Sequence, residues 1–253
     1  METSKIALIT GASRGLGKNM AIALAQKGND VIITYNSKKE EADDVISTIE
    51  FLGRKAVAIQ LNVGDVKSFE QFASELSTVL KEKWNRTNFN FLINNAGIGI
   101  NTPFAETTEE QFDLLTNIHF KGVYFLTQKL LPLIADGGRI VTVSTGLTRF
   151  SMPGYSVYAS LKGAIEVLTK YLAKELGSRG ISVNTIAPGA IETDFGGGVV
   201  RDNEQVNKVI AANTALGRVG LPDDIGGVVA FLCSEEARWV NAQRLEASGG
   251  MNL

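Results

Sequence analysis

Tyr158 and Lys162 stand four residues apart in the stretch YSVYASLKG, residues 155–163. That spacing stacks two side chains on one helical surface, so a phenol lies beside an ammonium ion. On a solvated face the pair does nothing. In a pocket it is acid–base chemistry, because the cation favours the phenolate and brings a group that titrates at about 10 closer to neutral pH. A second chemical feature is TGASRGLG at 10–17, set between the apolar run KIALIT and the amphipathic stretch KNMAIALAQK. A helix that begins there offers free N–H groups and a positive dipole end to a pyrophosphate. Gly11 permits the tight turn, Gly15 the close approach of phosphate and Gly17 close helix–strand packing, while Ser13, Arg14 and Leu16 complete the turn.

These residues need a frame that brings residue 158 to residue 11. Seven runs of strand length recur along the chain: KIALIT at 5, DVIITY at 30, AVAIQL at 56, FNFLIN at 89, RIVTVS at 139, ISVNTIA at 181 and QRLEAS at 243. Most are continuously apolar rather than alternating, as strands covered on both faces are. Between them lie amphipathic stretches with helix punctuation: a capping-box pattern at Ser37–Glu40, stop signals at Gly28 and Gly53, and a cap at Asp65. The alternation predicts one α/β domain over residues 1–253, a doubly wound (Rossmann) seven-stranded parallel sheet with helices on both faces. No Pro/Ser-rich linker divides it. The irregular stretch APGAIETDFGGGVV (187–200) and the short helix NEQVNKVIAANT predict a mobile substrate lid over about 190–215, with a plain surface loop as the alternative.

Composition narrows the partners. Lys and Arg total 25 against 27 Asp and Glu, a net charge of −2, which argues against an electrostatic grip on nucleic acid or anionic lipid. A small-molecule ligand fits better. One cysteine, Cys233, excludes an internal disulfide, one histidine, His119, excludes a His-rich metal site, and both read as packing. No signal peptide or membrane span is legible, so a cytoplasmic protein is expected. The second strand ends at Tyr35, Asn36 and Ser37, with no carboxylate before Glu40 to accept from ribose hydroxyls. Arg14 and Lys38 could instead pair with a 2′-phosphate, which favours NADP(H) over NAD(H).

TGASRGLG (10–17), NNAG (94–97), Asn117, RIVTVST (139–145), YASLK (158–162) and PGAIET (188–193) follow one another in an order and spacing that resemble the short-chain dehydrogenase/reductase family, over essentially the whole chain. The resemblance is to its compact single-domain form, including the 3-oxoacyl-[acyl-carrier-protein] reductases. It implies hydride transfer between a nicotinamide and a carbonyl or secondary alcohol, with Tyr158 exchanging the proton and Lys162 also holding the nicotinamide ribose. It further implies that Asn117 supports a proton-reloading water chain, that Asn95, Ala96 and Gly97 line the ribose side, and that Asn62 and Val63 flank the adenine. Pro188, Gly189, Ile191 and Thr193 would close over the nicotinamide, and a homotetramer or dimer would form. The family's substrate-binding serine stands thirteen residues before the tyrosine, where this chain has Thr145 with Ser144 next to it; Thr145 is assigned the role. Asn62 replaces a common aspartate, and VNAQ (240–243) replaces a more usual Thr-Gly pair. Phe150, Met152, Tyr155 and Phe195 are expected near the substrate, with plain packing as the alternative for each. The alternative to an enzyme is a non-catalytic dinucleotide-binding module on the same fold.

Overall fold

The computed structural model describes residues 4–253. All seven apolar runs are strands: β1 (Ile6–Ile9), β2 (Asp30–Tyr35), β3 (Ala56–Gln60), β4 (Phe89–Asn94), β5 (Ile134–Val143), β6 (Ser182–Pro188) and β7 (Arg244–Ala247). They form one sheet in the order β3-β2-β1-β4-β5-β6-β7, every ladder parallel. The winding reverses between β1 and β4, so the loops leaving these two strands diverge at the carboxyl edge and open a crevice there.

The principal helices are α1 (Gly15–Gln26), α2 (Lys39–Phe51), α3 (Phe69–Trp84), α4 (Glu109–Thr116), α5 (Gly122–Leu130), α6 (Ser156–Glu175), α7 (Val199–Asp202), α8 (Glu204–Ala212) and α9 (Asp223–Leu232). β1 shows why its sequence does not alternate. Ala7 and Ile9 enter a core with Met20 and Leu24 of α1, Val45 and Ile49 of α2, and Ile225 and Val229 of α9. Ile6 and Leu8 enter the opposite core, with Phe69 and Leu76 of α3, Leu126 and Leu130 of α5, and Ala173 of α6. Each fully buried Leu or Ile contributes about 1.5–3 kcal/mol relative to exposure.

The punctuation is mostly as expected. Gly28 and Gly53, at φ 87° and 76°, follow α1 and α2 in the left-handed conformation. Asp65 accepts from the Lys67 amide at 3.1 Å and caps the short turn leading into α3. The capping box at Ser37–Glu40 does not form: α2 begins one residue later, after Lys38, with no side-chain cap. Glu40 and Glu41 in its first turn meet the positive end of the helix instead. β5 begins at Ile134, earlier than the apolar run, and the extension is joined by a register shift opposite Phe89 and Phe91.

Two segments near the carboxyl edge matter for the site. The three glycines 196–198 all adopt positive φ, at 62°, 78° and 77°, turning the chain into α7 and then α8. The C-terminal residues are docked, because the Arg149 guanidinium donates to the carbonyls of Met251 (2.5 Å) and Asn252 (2.8 Å).

Candidate active site

The Gly-rich turn is fitted to an anion. Arg14 is extended and caps α1 without a side-chain hydrogen bond, and no acidic residue lies in the first helical turn. Its leading amides are thus unclaimed by side chains and meet an open carboxyl edge. A Cβ on Gly11 would lie 2.8 Å from Ala96 Cα, and one on Gly17 2.4 Å from the Gly11 carbonyl, so both glycines are required for close packing. Gly15, at φ 57°, faces the Thr193 side chain. Asn95 fastens the turn to β4: its Nδ2 donates to the carbonyls of Thr10 and Gly11, each at 2.9 Å. Thr10 Oγ1 in turn accepts from the Asn95 and Ala96 amides at 3.0 Å. The Asn95 side chain is therefore a structural clip, and the backbone of Ala96 and Gly97 is what borders the crevice.

At the end of β2, Tyr35 is half-buried while Asn36, Ser37 and Lys38 are exposed. Arg14 lies 3.9 Å from Glu41 and 3.8 Å from Asp194, two loose contacts that hold its guanidinium beside the turn. Glu41 is a carboxylate at the phosphate end that strand-end counting missed, because the first turn of α2 carries it back toward Arg14. Asn62 is exposed and its Oδ1 accepts from the Gly64 amide at 3.0 Å; Val63 packs partly into the second core.

Tyr158 and Lys162 occupy the first turns of α6 and are both buried. Lys162 Nζ donates to the Val143 carbonyl at the end of β5 (2.6 Å) and stands 5.7 Å from the centre of the Tyr158 ring. Burial pulls the Lys162 ammonium down to about 8. It pushes the Tyr158 phenol above its ordinary value, with the Thr145 hydroxyl acting in the opposite direction. The expectation that Lys162 lowers the phenol is therefore not met in the protein alone. Desolvation outweighs the ammonium, which points at a carbonyl rather than at the phenol oxygen.

The neighbouring hydroxyls part company. Thr145 is extended (φ −159°, ψ 156°), so its side chain and that of Ser144 face opposite ways. Ser144 is buried and donates to Glu166 Oε1 at 2.7 Å, an oxygen that also accepts from Thr148 Oγ1 (2.8 Å) and Arg244 Nε (2.7 Å). Thr145 is the hydroxyl on the Tyr158 side.

Asn117 opens a π turn, Asn117–Lys121, between α4 and α5, and its side chain makes no hydrogen bond to Tyr158 or Lys162. Two residues on, His119 packs against Tyr158. Its ring meets that of Tyr158 edge-on, centroids 5.0 Å apart. Its Nε2 lies 2.8 Å from the Ile98 carbonyl, and a Cβ on Gly97 would lie 2.7 Å from its Cε1. Burial first, then the Lys162 charge, pulls its pKa down to about 3. Sequence reasoning assigned this residue to packing; its being the chain's one histidine, two positions from Asn117, was the available signal.

Phe195 lies tilted 5.7 Å from Tyr158 and packs on Gly99, and Tyr155 meets Tyr158 edge-on at 6.4 Å. Phe150 instead packs with Ile210, Val219 and Met251, and Met152 is exposed at the rim. A crevice beside Tyr158 is lined by Ile100, Thr102, Gln111 and Val157. Pro188 ends β6, Gly189 is pressed against Ser248, Ile191 pairs with Gly220, and Thr193 is buried next to Gly15. The segment 188–193 thus meets the Gly-rich turn at the crevice. Among the described residues, no group of three or more His, Cys, Asp or Glu side chains could hold a metal ion, and no helix is long and apolar enough to cross a membrane.

Comparison with known proteins agrees with this geometry. Residues 11–252 match the family model described as enoyl-(acyl carrier protein) reductase. The hydroxynaphthalene reductase-like protein Arp2 of Metarhizium brunneum is 35% identical over 258 residues, covering 97% of this chain and 94% of that protein. The promiscuous reductase LugOII, which catalyses keto-reduction at C1 during lugdunomycin biosynthesis, superposes with a TM-score of 0.94 at 34% identity, covering 100% of both chains. The landomycin C-6 ketoreductase LanV, with bound NADP and rabelomycin, superposes with a TM-score of 0.90 at 36% identity, covering 99% of this chain and 97% of that one. From its Gly-rich turn to its tyrosine–lysine pair, the chain belongs to the short-chain dehydrogenase/reductase family of oxidoreductases.

Proposed function

We propose that this chain is an NADP(H)-dependent ketoreductase whose substrate is a fused-ring aromatic ketone. The observation that carries the reading is a buried, proton-holding phenol, Tyr158, flanked by Thr145 and Lys162 where β1 and β4 diverge. When bound, the dinucleotide supplies hydride. The amides of Gly15–Gly17 would hold its pyrophosphate, Arg14 with Ser37 and Lys38 its 2′-phosphate, Asn62 and Val63 its adenine, and Ala96, Gly97 and Lys162 its nicotinamide ribose. Pro188–Thr193 and the lid through α8 cover the site and exclude water. Thr145 orients the carbonyl oxygen, Tyr158 donates a proton to it, and Lys162 keeps a positive charge beside the phenol as that proton leaves.

The rings of Tyr155 and Phe195 next to Tyr158 suit a flat aromatic substrate. So do the names of the relatives, which point to hydroxynaphthalenes and to rabelomycin. The match to the enoyl-(acyl carrier protein) reductase family makes acyl thioesters, 3-oxoacyl ones among them, the second substrate class. Exposed Phe112, Leu114, Tyr124 and Phe125 near α4 and α5, with Val167 and Tyr171 on α6, support pairing of copies into a dimer or tetramer.

The test is NADPH oxidation followed by absorbance against 2-tetralone, other fused-ring ketones and 3-oxoacyl thioesters. Tyr158→Phe is expected to keep cofactor affinity and lose at least about a hundredfold in turnover; a near-normal rate removes Tyr158 as the acid. Tight NADPH binding with silence across the whole panel supports a non-catalytic binding module instead.

A further inference from the structure

β7 differs in pattern from the other strands. QRLEAS alternates charged with apolar residues, and with a period of two Leu245 and Ala247 turn to the core shared with α1, α2 and α9 while Arg244 and Glu246 share the opposite face. Both charges are paired there. Arg244 Nη1 donates to Glu246 Oε2 (2.8 Å) and its Nε to Glu166 Oε1 of α6 (2.7 Å). Glu246 in turn accepts from Arg149 Nε and Nη2, at 3.0 and 2.7 Å. Arg149, Glu246, Arg244 and Glu166 thus form a chain of alternating charge that joins the loop after β5 to β7 and α6, and the last three side chains are mostly buried.

One donor of Arg244 is spent on neither carboxylate. Its Nη2 reaches the Thr145 carbonyl at 3.0 Å. The Ser144 amide gives the last rung of the β5–β6 ladder, to the Ile186 carbonyl at 2.7 Å, and the next rung would need an N–H from Pro188, which has none. Thr145 therefore lies one residue past the hold of the sheet, at the start of the turn Gly146–Thr148. Thr148 Oγ1 lies 3.1 Å from the Thr145 carbonyl but 2.8 Å from Glu166 Oε1, and its single proton goes to the carboxylate. Arg244 is the side chain that is left to fix the Thr145 peptide.

Resting on the reductase reading above, we infer that Arg244 is a positioning residue of the reaction: its guanidinium, held between Glu166 and Glu246, fixes the carbonyl of Thr145 and thereby aims the Thr145 hydroxyl at the substrate oxygen. Three acceptors in three directions need the planar fork of an arginine. A lysine keeps the charge between the two carboxylates and gives up the third contact.

Thr–Gly bonds occur in the chain at Thr10–Gly11 and Thr145–Gly146. Threonine labelled with ¹³C at the carbonyl and glycine labelled with ¹⁵N therefore give one NMR signal for each, in the full-length protein without added ligand, and Thr145→Val removes the second and so assigns it. Arg244→Lys is expected to move the Thr145–Gly146 signal and leave that of Thr10–Gly11 in place; both signals unmoved overturns the contact whatever the enzyme reduces. With 2-tetralone or the best ketone of the panel, Arg244→Met and Arg244→Lys are each expected to lower kcat roughly ten- to a hundredfold with little change in KM, lysine recovering the Tm but not the rate. Set on Thr145→Val, the same substitutions should cost less than about threefold, because the hydroxyl they aim is gone. A wild-type rate in Arg244→Lys, or equal losses with and without the Thr145 hydroxyl, refutes the role. If Arg244→Met does not fold, Arg244→Lys carries the test. A wild type silent across the panel speaks to the reductase reading alone, and the two signals still decide whether Arg244 holds Thr145.

Discussion

Ser144→Ala and Thr145→Val, compared side by side, test the assignment of the substrate hydroxyl, and the structure sets the expected sizes. Ser144 Oγ gives one of three donors to Glu166 Oε1, the others being Thr148 Oγ1 at 2.8 Å and Arg244 Nε at 2.7 Å. Its removal deletes a hydrogen bond to a charged group, worth about 1.5–3 kcal/mol. The carboxylate stays paired, so the lower end applies, about 1.5 kcal/mol. For a chain of this length that is a fall of roughly 3–6 °C in Tm, with kcat within about threefold of wild type because nothing on the Tyr158 side changes. Thr145→Val keeps shape and volume and loses only a 3.3 Å contact with the Leu147 amide from the fold, so Tm should hold. It also removes the one hydroxyl beside Tyr158. Loss of a single preorganised donor to a developing oxyanion costs about 10²–10³ in kcat. Thermal unfolding and steady-state NADPH oxidation on the same preparations separate the two effects. If Ser144→Ala is the variant that loses a hundredfold while Thr145→Val works, the facing of the two side chains has been misjudged and the assignment is reversed.

Ala242 is a non-glycine residue at φ 59°, just before β7. A Cβ in that conformation costs roughly 1–2 kcal/mol, and the extra freedom of glycine in the unfolded chain returns about 0.4–1 kcal/mol. Ala242→Gly should therefore stabilise by about 0.5–1 kcal/mol and raise Tm by roughly 1–4 °C; a lower Tm contradicts this. Lys162 is a buried base whose folded pKa, about 8, lies below its ordinary 10.5. Below about pH 8 the folded chain carries the full cost of the buried charge. Between about 8 and 10.5 the unfolded chain binds more protons, so stability climbs with pH. The shift corresponds to about 3 kcal/mol, an upper bound because Lys162→Met also strips the Val143 carbonyl of its donor. Urea unfolding should find Lys162→Met more stable than wild type at pH 7, with the gap narrowing by pH 10; parallel stabilities at both pH values rule out a buried charge.

The fold was legible because β1 and its neighbours are apolar on both faces, and a strand such as IALI has no other way to be satisfied than between two helical layers. Gly28 and Gly53 marked helix ends for the same local reason, since only glycine takes left-handed φ cheaply. The Gly-rich turn and the Tyr158–Lys162 pair were legible from residue type and spacing. What could not be read is which way side chains turn when helical pitch changes. The π turn at 117–121 brings the His119 ring against Tyr158, and no periodicity in the sequence announces a turn closed by i→i+5 bonds. Ser37 failed as a cap because α2 starts a residue later, a shift that propensity does not resolve. The role of Asn95 was hidden because its amide is spent on Thr10 and Gly11, a contact eighty-five residues apart in sequence.

The electrostatics of the pair bear on direction. Burial pulls both groups toward neutrality, so it moves their pKa values oppositely: the phenol up, the ammonium down to about 8. At neutral pH Tyr158 is consequently loaded with its proton while most of Lys162 is still charged. A carbonyl being reduced needs a proton at its oxygen, and a loaded phenol beside a cation can give one. An alcohol being oxidised needs the phenolate at the outset, the form that burial penalises and that depends on the charge of Lys162 beside it. Raising the pH does not cure this, because above about 8 the ammonium that would stabilise the phenolate is itself lost. In the proposed reaction, then, the resting pocket at neutral pH already holds the proton that reduction needs, by the same desolvation that makes its lysine expensive to bury, and groups that hold Lys162 in its charged form widen the pH range over which Tyr158 can act.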